Sequence, residues 1–355
     1  MRIVLATDAW HPQINGVVRS LSTSVDGLVR KGHWVEVIEP SRFRTIACPT
    51  YPEIRLALGC GRRVSEILDG AMPASVHIAT EGPIGWAARS WCIRNHRPYT
   101  TAFHTRFPDY VSIRTGIPVG LLWRMMRRFH GRAERTFAAT ASLAGELNSR
   151  GLERTHIWPR GVDLDQFNPH VPPHSTIANL QRPILLNVGR VAPEKNIEAF
   201  LSLQVAGTKV VIGGGPALER MKARFSDVIF LGPMHGAELA SAYTAADVFV
   251  FPSRTDTFGM VNIEALACGL PVAAYPVSGP ADIIGERERG IHGGKWRIGA
   301  LDEDLAKAVA RALTADRNAA VTEARHYSWE RCTGLFLAGL AVNSPENEEQ
   351  LPAAA

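Results

Sequence analysis

In the first half of the chain, short apolar runs alternate with apolar residues at helical spacing. This pattern predicts the order strand, helix, strand. A short apolar run at residues 3–8 predicts a strand, and apolar positions at helical spacing over residues 18–28 predict a helix that ends near Gly32. Residues 34–38 predict the next strand, and this order predicts a parallel sheet. Later strands of the same sheet are predicted at residues 76–79 and 99–103.

The same pattern restarts after a proline-rich break at residues 168–175. Strands of the buried type are predicted at residues 183–189, 209–213, 228–231 and 247–251. With 355 residues, 46% of them hydrophobic, the chain is predicted to be an α/β protein of two doubly wound domains. The predicted organisation is a first domain at 1–168, a linker at 169–182, a second domain at 183–325, a helix at 326–340 and a disordered tail at 341–355.

Composition argues against several classes of protein. No apolar run approaches the ~18 to 20 residues of a membrane-spanning helix. The N-terminus passes straight into the first predicted strand without a signal peptide, so a cytoplasmic protein is predicted. The five cysteines form no C-x-x-C pair, which favours reduced thiols over a disulfide framework or a zinc cluster. No nucleic-acid partner is predicted, and the sequence leaves the oligomeric state open.

A net positive charge is confined to the first half of the chain. Residues 1–170 carry 22 Lys and Arg against 14 Asp and Glu, a net charge of +8, while the remaining residues carry 17 against 20, a net charge of −3. Within the first half, Arg124, Arg128, Arg132 and Arg135 are predicted to share one helical face. Such a face suits an anionic membrane surface, and an ordinary solvated helix face is the alternative.

The strongest chemical signal lies in a strand, a polar loop and a helix over residues 247–269. Open parallel sheets bind ligands at the carboxyl ends of their strands, where this loop is predicted to lie. The helix N-terminus near Phe258, Gly259 and Met260 offers backbone N–H groups to a phosphate. Glu264, further along the helix, offers a carboxylate to paired hydroxyls such as those of a ribose. A helix with a capping aspartate and one buried glutamate is the alternative.

These residues resemble the E-x7-E region of the family-four retaining glycosyltransferases. Asp256 stands in place of the first glutamate, and Glu264 stands at the place of the second. The resemblance implies a GT-B fold, in which two Rossmann-like domains face a central cleft. It also implies that Asp256 binds donor-sugar hydroxyls together with the backbone at residues 258–260, and that Glu264 binds the ribose.

The segment Gly189-Arg-Val-Ala-Pro-Glu-Lys-Asn196 is similar to the G-R-x-x-x-x-K-N donor loop of the same family. This similarity implies that Arg190 and Lys195 hold the diphosphate and neutralise the charge on the departing nucleotide, a role that a metal ion has in other enzymes. Two isolated surface cations are the alternative. The nearby glycine run at residues 213–215 is weak evidence on its own, because it lacks the third glycine of a dinucleotide fingerprint.

Two segments of the first half resemble the same family. Gly16 lies in a glycine loop at a predicted helix N-terminus, and His104 follows a predicted strand. The resemblance implies that the Gly16 loop stabilises the leaving diphosphate and that His104 orients the donor sugar, although a lone histidine is usually structural. Asp163 and Asp165 form a D-x-D pair of the metal-binding type, but their segment resembles the one that leads into the GT-B hinge. A structural role is therefore predicted for both, with no metal site.

The resemblance thus implies a retaining, metal-independent hexosyltransferase that needs no cofactor and uses a UDP- or GDP-sugar. The resemblance to bacterial mannosyltransferase-like and glycolipid-forming members predicts a membrane glycerolipid such as diacylglycerol as acceptor, with the enzyme peripheral on the cytoplasmic face of the inner membrane. One alternative is a GDP-mannose-dependent α-mannosyltransferase with a soluble or polysaccharide acceptor. A nicotinamide-dependent oxidoreductase needs a complete glycine fingerprint, and a non-catalytic sugar-binding protein would normally be exported.

Overall fold

The computed structural model describes residues 1–13, 15–48, 51–104 and 106–343. The chain forms two compact units: unit 1 comprises residues 1–159 together with the chain from Cys332 onward, and unit 2 comprises residues 160–331. The segment predicted as a linker, residues 169–182, lies within unit 2. Residues 344–355, most of the predicted disordered tail, lie outside the described residues. None of the helices described is both long enough and apolar enough to cross a membrane.

Unit 1 is built on a parallel six-stranded sheet with the strand order β2-β1-β5-β6-β7-β8, and β3 and β4 form a separate antiparallel pair. Its strands are β1 (Arg2–Ala6), β2 (Trp34–Ile38), β3 (Thr45–Cys48), β4 (Tyr51–Ala57), β5 (Ser75–Ile78), β6 (Tyr99–Phe103), β7 (Arg135–Ala138) and β8 (Thr155–Ile157). Its helices are α1 (Gly16–Arg30), α2 (Gly61–Ala71), α3 (Pro83–Arg94), α4 (Phe107–Thr115), α5 (Val119–His130) and α6 (Ala141–Ser149). Strands β1, β2, β5 and β6 confirm the four strands predicted for this half.

Unit 2 repeats the design with the parallel order β11-β10-β9-β12-β13-β14. Its strands are β9 (Ile184–Val188), β10 (Thr208–Ile212), β11 (Ile229–Gly232), β12 (Val248–Phe251), β13 (Val272–Ala274) and β14 (Gly299–Leu301). Its helices are α7 (Ser175–Ala178), α8 (Ile197–Leu201), α9 (Leu218–Arg224), α10 (Gly236–Ala245), α11 (Met260–Ala267), α12 (Pro280–Ile284), α13 (Leu305–Ala312) and α14 (Arg317–Ala324). The predicted two doubly wound α/β domains are therefore confirmed.

The order of strands places a switch point in each sheet. In unit 2 the chain builds the sheet outward from β9 through β10 to β11, and then returns to the other side of β9 to add β12, β13 and β14. In unit 1 the corresponding position lies between β1 and β5. Connections on the two sides of such a point diverge, and the opening at the carboxyl ends of the two strands is where open α/β sheets bind ligands.

The last helix, α15 (Trp329–Gly339), carries the chain from unit 2 back to unit 1. Its Phe336 is completely buried, and the ring contacts the aromatic rings of His77, Phe137 and Trp158 with centroid distances of 4.8, 5.5 and 5.0 Å. Aromatic pairs at these distances and tilted angles are favourable beyond the area they bury. The helix is therefore an integral part of the unit 1 core.

The prediction that four arginines share one helical face is wrong for two of them, Arg132 and Arg135. Arg124 and Arg128 lie on α5, but this helix ends at His130 and Arg132 follows in a turn. Arg135 begins β7, and its guanidinium donates hydrogen bonds to the carbonyl oxygens of Gly339 (3.0 Å) and Leu340 (3.4 Å). Arg135 therefore holds the end of α15, and of the four arginines only Arg124 and Arg128 lie on a helix.

Candidate active site

Two loops meet at the switch point of unit 2, one after β9 and one after β12. The amide of Asn196 donates to the carbonyl oxygen of Pro252 at 3.0 Å, and the hydroxyl of Thr255 donates to that of Glu194 at 3.1 Å. These bonds join segments more than fifty positions apart in the sequence, because β9 and β12 are neighbours in the sheet. The two predicted donor segments thus form one structural element.

Lys195 and Asp256 form a direct ion pair between these two loops. Their side chains are 34% and 22% exposed, so the pair is partly covered and reaches solvent. The ammonium contacts Oδ1 of Asp256, while Oδ2 is buried and has no hydrogen-bond partner among the described residues. Arg190 lies two residues beyond the end of β9 and is exposed. The loops thus present two cations and one carboxylate at the carboxyl edge of the sheet.

The glycine run after β10 has a packing role. A Cβ on Gly213 would overlap the carbonyl oxygen of Gly189, and one on Gly215 would overlap that of Val191. Both glycines have positive φ angles, 143° and 153°, which other residues rarely adopt. The amide of Val191 also donates to the carbonyl oxygen of Gly214 at 2.9 Å. The run therefore holds the Arg190 loop against the neighbouring strand end, and no phosphate is needed to explain it.

The helix N-terminus predicted near residues 258–260 is confirmed, and α11 spans eight residues, just over two turns. Gly259 is its N-cap with φ of 80°, a conformation that glycine adopts without strain. Phe258 is 4% exposed. The loop after β13 supports this corner, since a Cβ on Gly279 would lie 3.0 Å from the carbonyl oxygens of both Asp256 and Phe258. The sequence analysis missed Gly279, and its signal is a glycine before a proline, five residues after the end of a buried strand.

Glu264 lies on α11 and is 2% exposed. Its Oε2 accepts a hydrogen bond from the hydroxyl of Tyr243 at 3.1 Å. Burial of a carboxylate is costly without hydrogen-bond donors, and Tyr243 on α10 supplies one of them. The sequence did not predict Tyr243, because its residue type and helical position are also those of a core residue.

In unit 1, His104 follows the last residue of β6, as predicted. It is 8% exposed, and its ring lies edge-on to Trp158 with a centroid distance of 5.8 Å. Gly16 is the first residue of α1 and is exposed. The N-cap of this helix is Asn15, whose Oδ1 accepts hydrogen bonds from the amides of Val17 and Val18 at 3.0 Å each.

A buried carboxylate in unit 1 was missed by the sequence analysis. Asp8 follows β1 and is 4% exposed. Its Oδ1 accepts from the amide of Ile84 at 3.0 Å, and its Oδ2 accepts from the hydroxyl of Thr80 at 2.9 Å and from the amide of Gly85 at 3.3 Å. Burial outweighs these hydrogen bonds and raises the pKa of Asp8 to about 6. Asp8 thus fixes the start of α3 and the loop before it.

The D-x-D pair has the structural role predicted for it. Oδ1 of Asp163 accepts hydrogen bonds from the amides of Asp165 at 3.1 Å and Gln166 at 3.0 Å, which closes a local turn. Aspartate side chains commonly bond to amides two or three positions further along the chain in this way.

Comparison with known proteins follows the division into two units. The family model for "Glycosyltransferase Family 4" matches residues 14–166, and that for "Glycosyl transferases group 1" matches residues 174–327. The GDP-mannose-dependent alpha-mannosyltransferase of Mycobacterium tuberculosis is 30% identical over 337 residues, which are 88% of this chain and 88% of the relative. The chain belongs to the family-four glycosyltransferases.

Two further relatives extend the comparison. The alpha-monoglucosyldiacylglycerol synthase of Streptococcus pneumoniae is 27% identical over 89% of this chain and 79% of its own length. The solved structure of sucrose-phosphate synthase from Thermosynechococcus elongatus superimposes with a TM-score of 0.69, covering 95% of this chain and 97% of that one, at 20% sequence identity. The family-four glycosyltransferase described here has the GT-B fold.

Proposed function

We propose that this glycosyltransferase binds a nucleotide diphosphate sugar in unit 2, at the carboxyl ends of β9 and β12, and transfers the sugar to an acceptor hydroxyl. The observation that carries the proposal is the Lys195–Asp256 ion pair between the two loops of the switch point. A buried Oδ2 without a partner is costly, and a sugar hydroxyl would satisfy it.

Each group has a distinct part in the proposed reaction. Lys195 and Arg190 neutralise the charge that grows on the diphosphate as its bond to the sugar breaks, which lowers the barrier electrostatically. The amides at the start of α11 contribute in the same way. Asp256 holds the sugar, and Glu264 holds the ribose through hydrogen bonds to its paired hydroxyls. His104 and Gly16 of unit 1 keep the roles that the family resemblance implies for them.

Retention of configuration and independence from metal ions are parts of the proposal. Retention means that the acceptor oxygen attacks the same face of the sugar from which the diphosphate departs. The cations of the donor loop supply the charge stabilisation that a divalent ion supplies in other transferases.

The decisive experiment is a transfer assay of the purified chain with a panel of UDP- and GDP-sugars, in the presence of EDTA. The relation to a GDP-mannose-dependent enzyme makes GDP-mannose the first donor to test. We expect transfer from one donor with chelator present, and an α-linked product from an α-linked donor by NMR. An absence of transfer from every nucleotide sugar would refute the donor proposal. Loss with EDTA and recovery with Mg²⁺ would refute metal independence, and a β-linked product would refute retention.

We also propose that the acceptor is a glycerolipid and that unit 1 docks on an anionic membrane surface. One relative is named as an alpha-monoglucosyldiacylglycerol synthase, which supports a lipid acceptor. Positive charge on unit 1 supports binding to an anionic surface. A pocket of 550 Å³ in this unit is lined by five arginines, Arg89, Arg94, Arg127, Arg128 and Arg132. Arg124, on α5, is also exposed.

Exposed apolar side chains also occur around the start of α5. Ile117, Val119 and Leu121 are 38%, 41% and 58% exposed. An element that combines cations with exposed apolar residues binds anionic bilayers, since each cation near the surface contributes ~1 kcal/mol and apolar side chains enter the headgroup region.

Cosedimentation with vesicles that contain anionic lipid tests the docking proposal. The variant with Arg124, Arg128 and Arg132 changed to glutamine is expected to lose binding at low salt, because three cations leave the surface. The matched control changes three exposed arginines of unit 2, Arg220, Arg224 and Arg287, to glutamine and removes the same charge. Equal binding by the two variants, or no binding of the wild type at low salt, would refute docking through unit 1.

A further inference from the structure

Two histidines and a glutamate converge in unit 2 beside the loop at residues 285–298. One ligand atom from each of His292, Glu323 and His326 lies within 4.8 Å of the others. Nδ1 of His292 is 2.7 Å from Oε1 of Glu323, and the two imidazole rings stack with centroids 4.0 Å apart and 15° between their planes. The sequence predicts no metal cluster, because His292 is separated from the other two by more than thirty positions and only the fold brings the three together.

The carboxylate of this cluster is held in place by its surroundings. Glu323 is 4% exposed, and its Oε1 also accepts from the amide of Ile291 at 3.2 Å. Gly290 has φ of 79°, and a Cβ at this position would overlap the carboxyl group of Glu323. The backbone of the loop thus packs directly against the carboxyl group of Glu323. The side chain of His292 is 23% exposed, so the cluster is partly open to solvent on one side.

We propose that His292, Glu323 and His326 form a binding site for a divalent transition-metal ion, with Zn²⁺ as the ion that suits these ligands best. Two imidazole nitrogens and one carboxylate oxygen are a common zinc ligand set, and the open side leaves room for water as the fourth ligand. Zinc ligands lie about 2.0–2.2 Å from the ion, so neighbouring ligand atoms are about 3.4 Å apart. The three groups therefore close inward when the ion binds, and the bond from His292 to Glu323 is replaced by coordination.

The site is separate from the residues assigned to the donor, and it is linked to them through aromatic contacts. The ring of Tyr327 lies edge-on to His292 at 5.6 Å and also contacts Phe258 at 6.0 Å. Phe258 precedes the N-cap of α11. A bound ion would hold the loop at residues 285–298 against α14. Through Tyr327 it would also stabilise the packing around Phe258 at the start of α11. Its effect is on the stability of unit 2, and the ion takes no part in the transfer.

Metal titration of the full chain, without any nucleotide sugar, tests the site independently of the proposed activity. We expect one Zn²⁺ per chain by calorimetry and a rise in Tm with Zn²⁺. With Co²⁺ as probe we expect visible d–d bands without the charge-transfer band of a thiolate ligand. His292→Ala and His326→Ala should each weaken binding at least about 100-fold, since even outer-shell partners contribute 10- to 100-fold.

His170→Ala is the matched control, because His170 is an exposed histidine of the same unit. It should bind Zn²⁺ like the wild type. Unchanged binding in both cluster variants would overturn the proposal, as would a wild type whose Tm does not respond to Zn²⁺. In the latter case the three residues are held together only by one hydrogen bond and by the stacking of the two rings. Glu323→Gln, which keeps the shape of the buried side chain, should fold and lose the Tm response.

Discussion

Replacement of Lys195 by alanine should separate the contribution of this residue to folding from its contribution to the reaction. The ammonium has a partner in the free protein, Asp256, across the two loops at the switch point. If the donor diphosphate binds where we propose, the same ammonium also faces the charge of the leaving group. Lys195→Ala removes both the ion pair with Asp256 and the proposed contact with the diphosphate. The two losses should differ in free energy.

The two magnitudes follow from exposure and charge. The side chains of Lys195 and Asp256 are 34% and 22% exposed, so solvent screens the pair and its loss should lower the free energy of unfolding by at most ~1 kcal/mol. A phosphate that loses a charged hydrogen-bond partner in the transition state is expected to cost ~3 kcal/mol, which is about 100-fold in kcat/KM. The variant should therefore fold nearly like the wild type and lose about two orders of magnitude in activity.

A double-variant cycle with Asp256→Asn tests whether each residue acts on the donor directly. If Lys195 serves only to position Asp256, the double variant should be no slower than the worse single variant. If each contacts the donor, the double variant should lose at least about 10-fold more in kcat/KM than either. Arg224→Ala, which breaks an exposed ion pair with Glu198 elsewhere in unit 2, is the matched control and should leave kcat/KM unchanged. Wild-type kinetics in Lys195→Ala would refute the donor assignment.

Three further predictions follow from buried groups. Glu264→Ala should lose about two orders of magnitude in donor affinity or turnover, because it leaves a donor hydroxyl and the Tyr243 hydroxyl without their acceptor. Glu264→Gln keeps the shape of the side chain, so it should fold normally in a melting assay and still be impaired in activity. Gly213→Ala should lower the Tm sharply, since its Cβ would overlap the carbonyl oxygen of Gly189; an unchanged Tm would contradict this packing. The pKa of Asp8 in the folded protein is about 6, above its value in the unfolded chain, so the protonated form of Asp8 favours folding. As pH rises from about 4 to 7, the free energy of unfolding of the wild type should therefore fall by up to ~3 kcal/mol relative to Asp8→Asn. A pH-independent difference in denaturant midpoints between these two proteins would refute the assignment.

Elements that depend on local periodicity were predictable from the sequence. The first helix, its end near Gly32 and the four strands predicted in each sheet follow from the spacing of apolar residues, and Gly32 has the positive φ of 80° that a helix stop requires. The two loops that meet at the switch point of unit 2 were also predictable, because glycine, lysine and carboxylate motifs lie at the ends of predicted strands. These features are decided within one turn or one strand.

Features decided by distant parts of the chain were missed. The spacing of Arg124, Arg128, Arg132 and Arg135 suits a helix, but residues 136–138 are buried in the sheet between β6 and β8, and strand pairing prevails over helical spacing. The environment of Asp8 is another case, since its partners lie more than seventy positions further along the chain. The sequence showed a carboxylate after a strand and gave no sign of its burial.

The exchange of the family's first glutamate for Asp256 has a structural consequence beyond the loss of one methylene. Oδ1 of Asp256 is engaged by Lys195, which comes from the other loop of the switch point. Gly279 packs against the backbone of Asp256 and Phe258, and Gly213 and Gly215 pack against the loop of Arg190. The loops are therefore held by backbone packing, and the short side chain is held by an ion pair, so Oδ2 has little freedom to move toward a ligand. If the donor sugar binds where we propose, its hydroxyl must come to this oxygen, and we expect the site to select the position of that hydroxyl on the sugar ring.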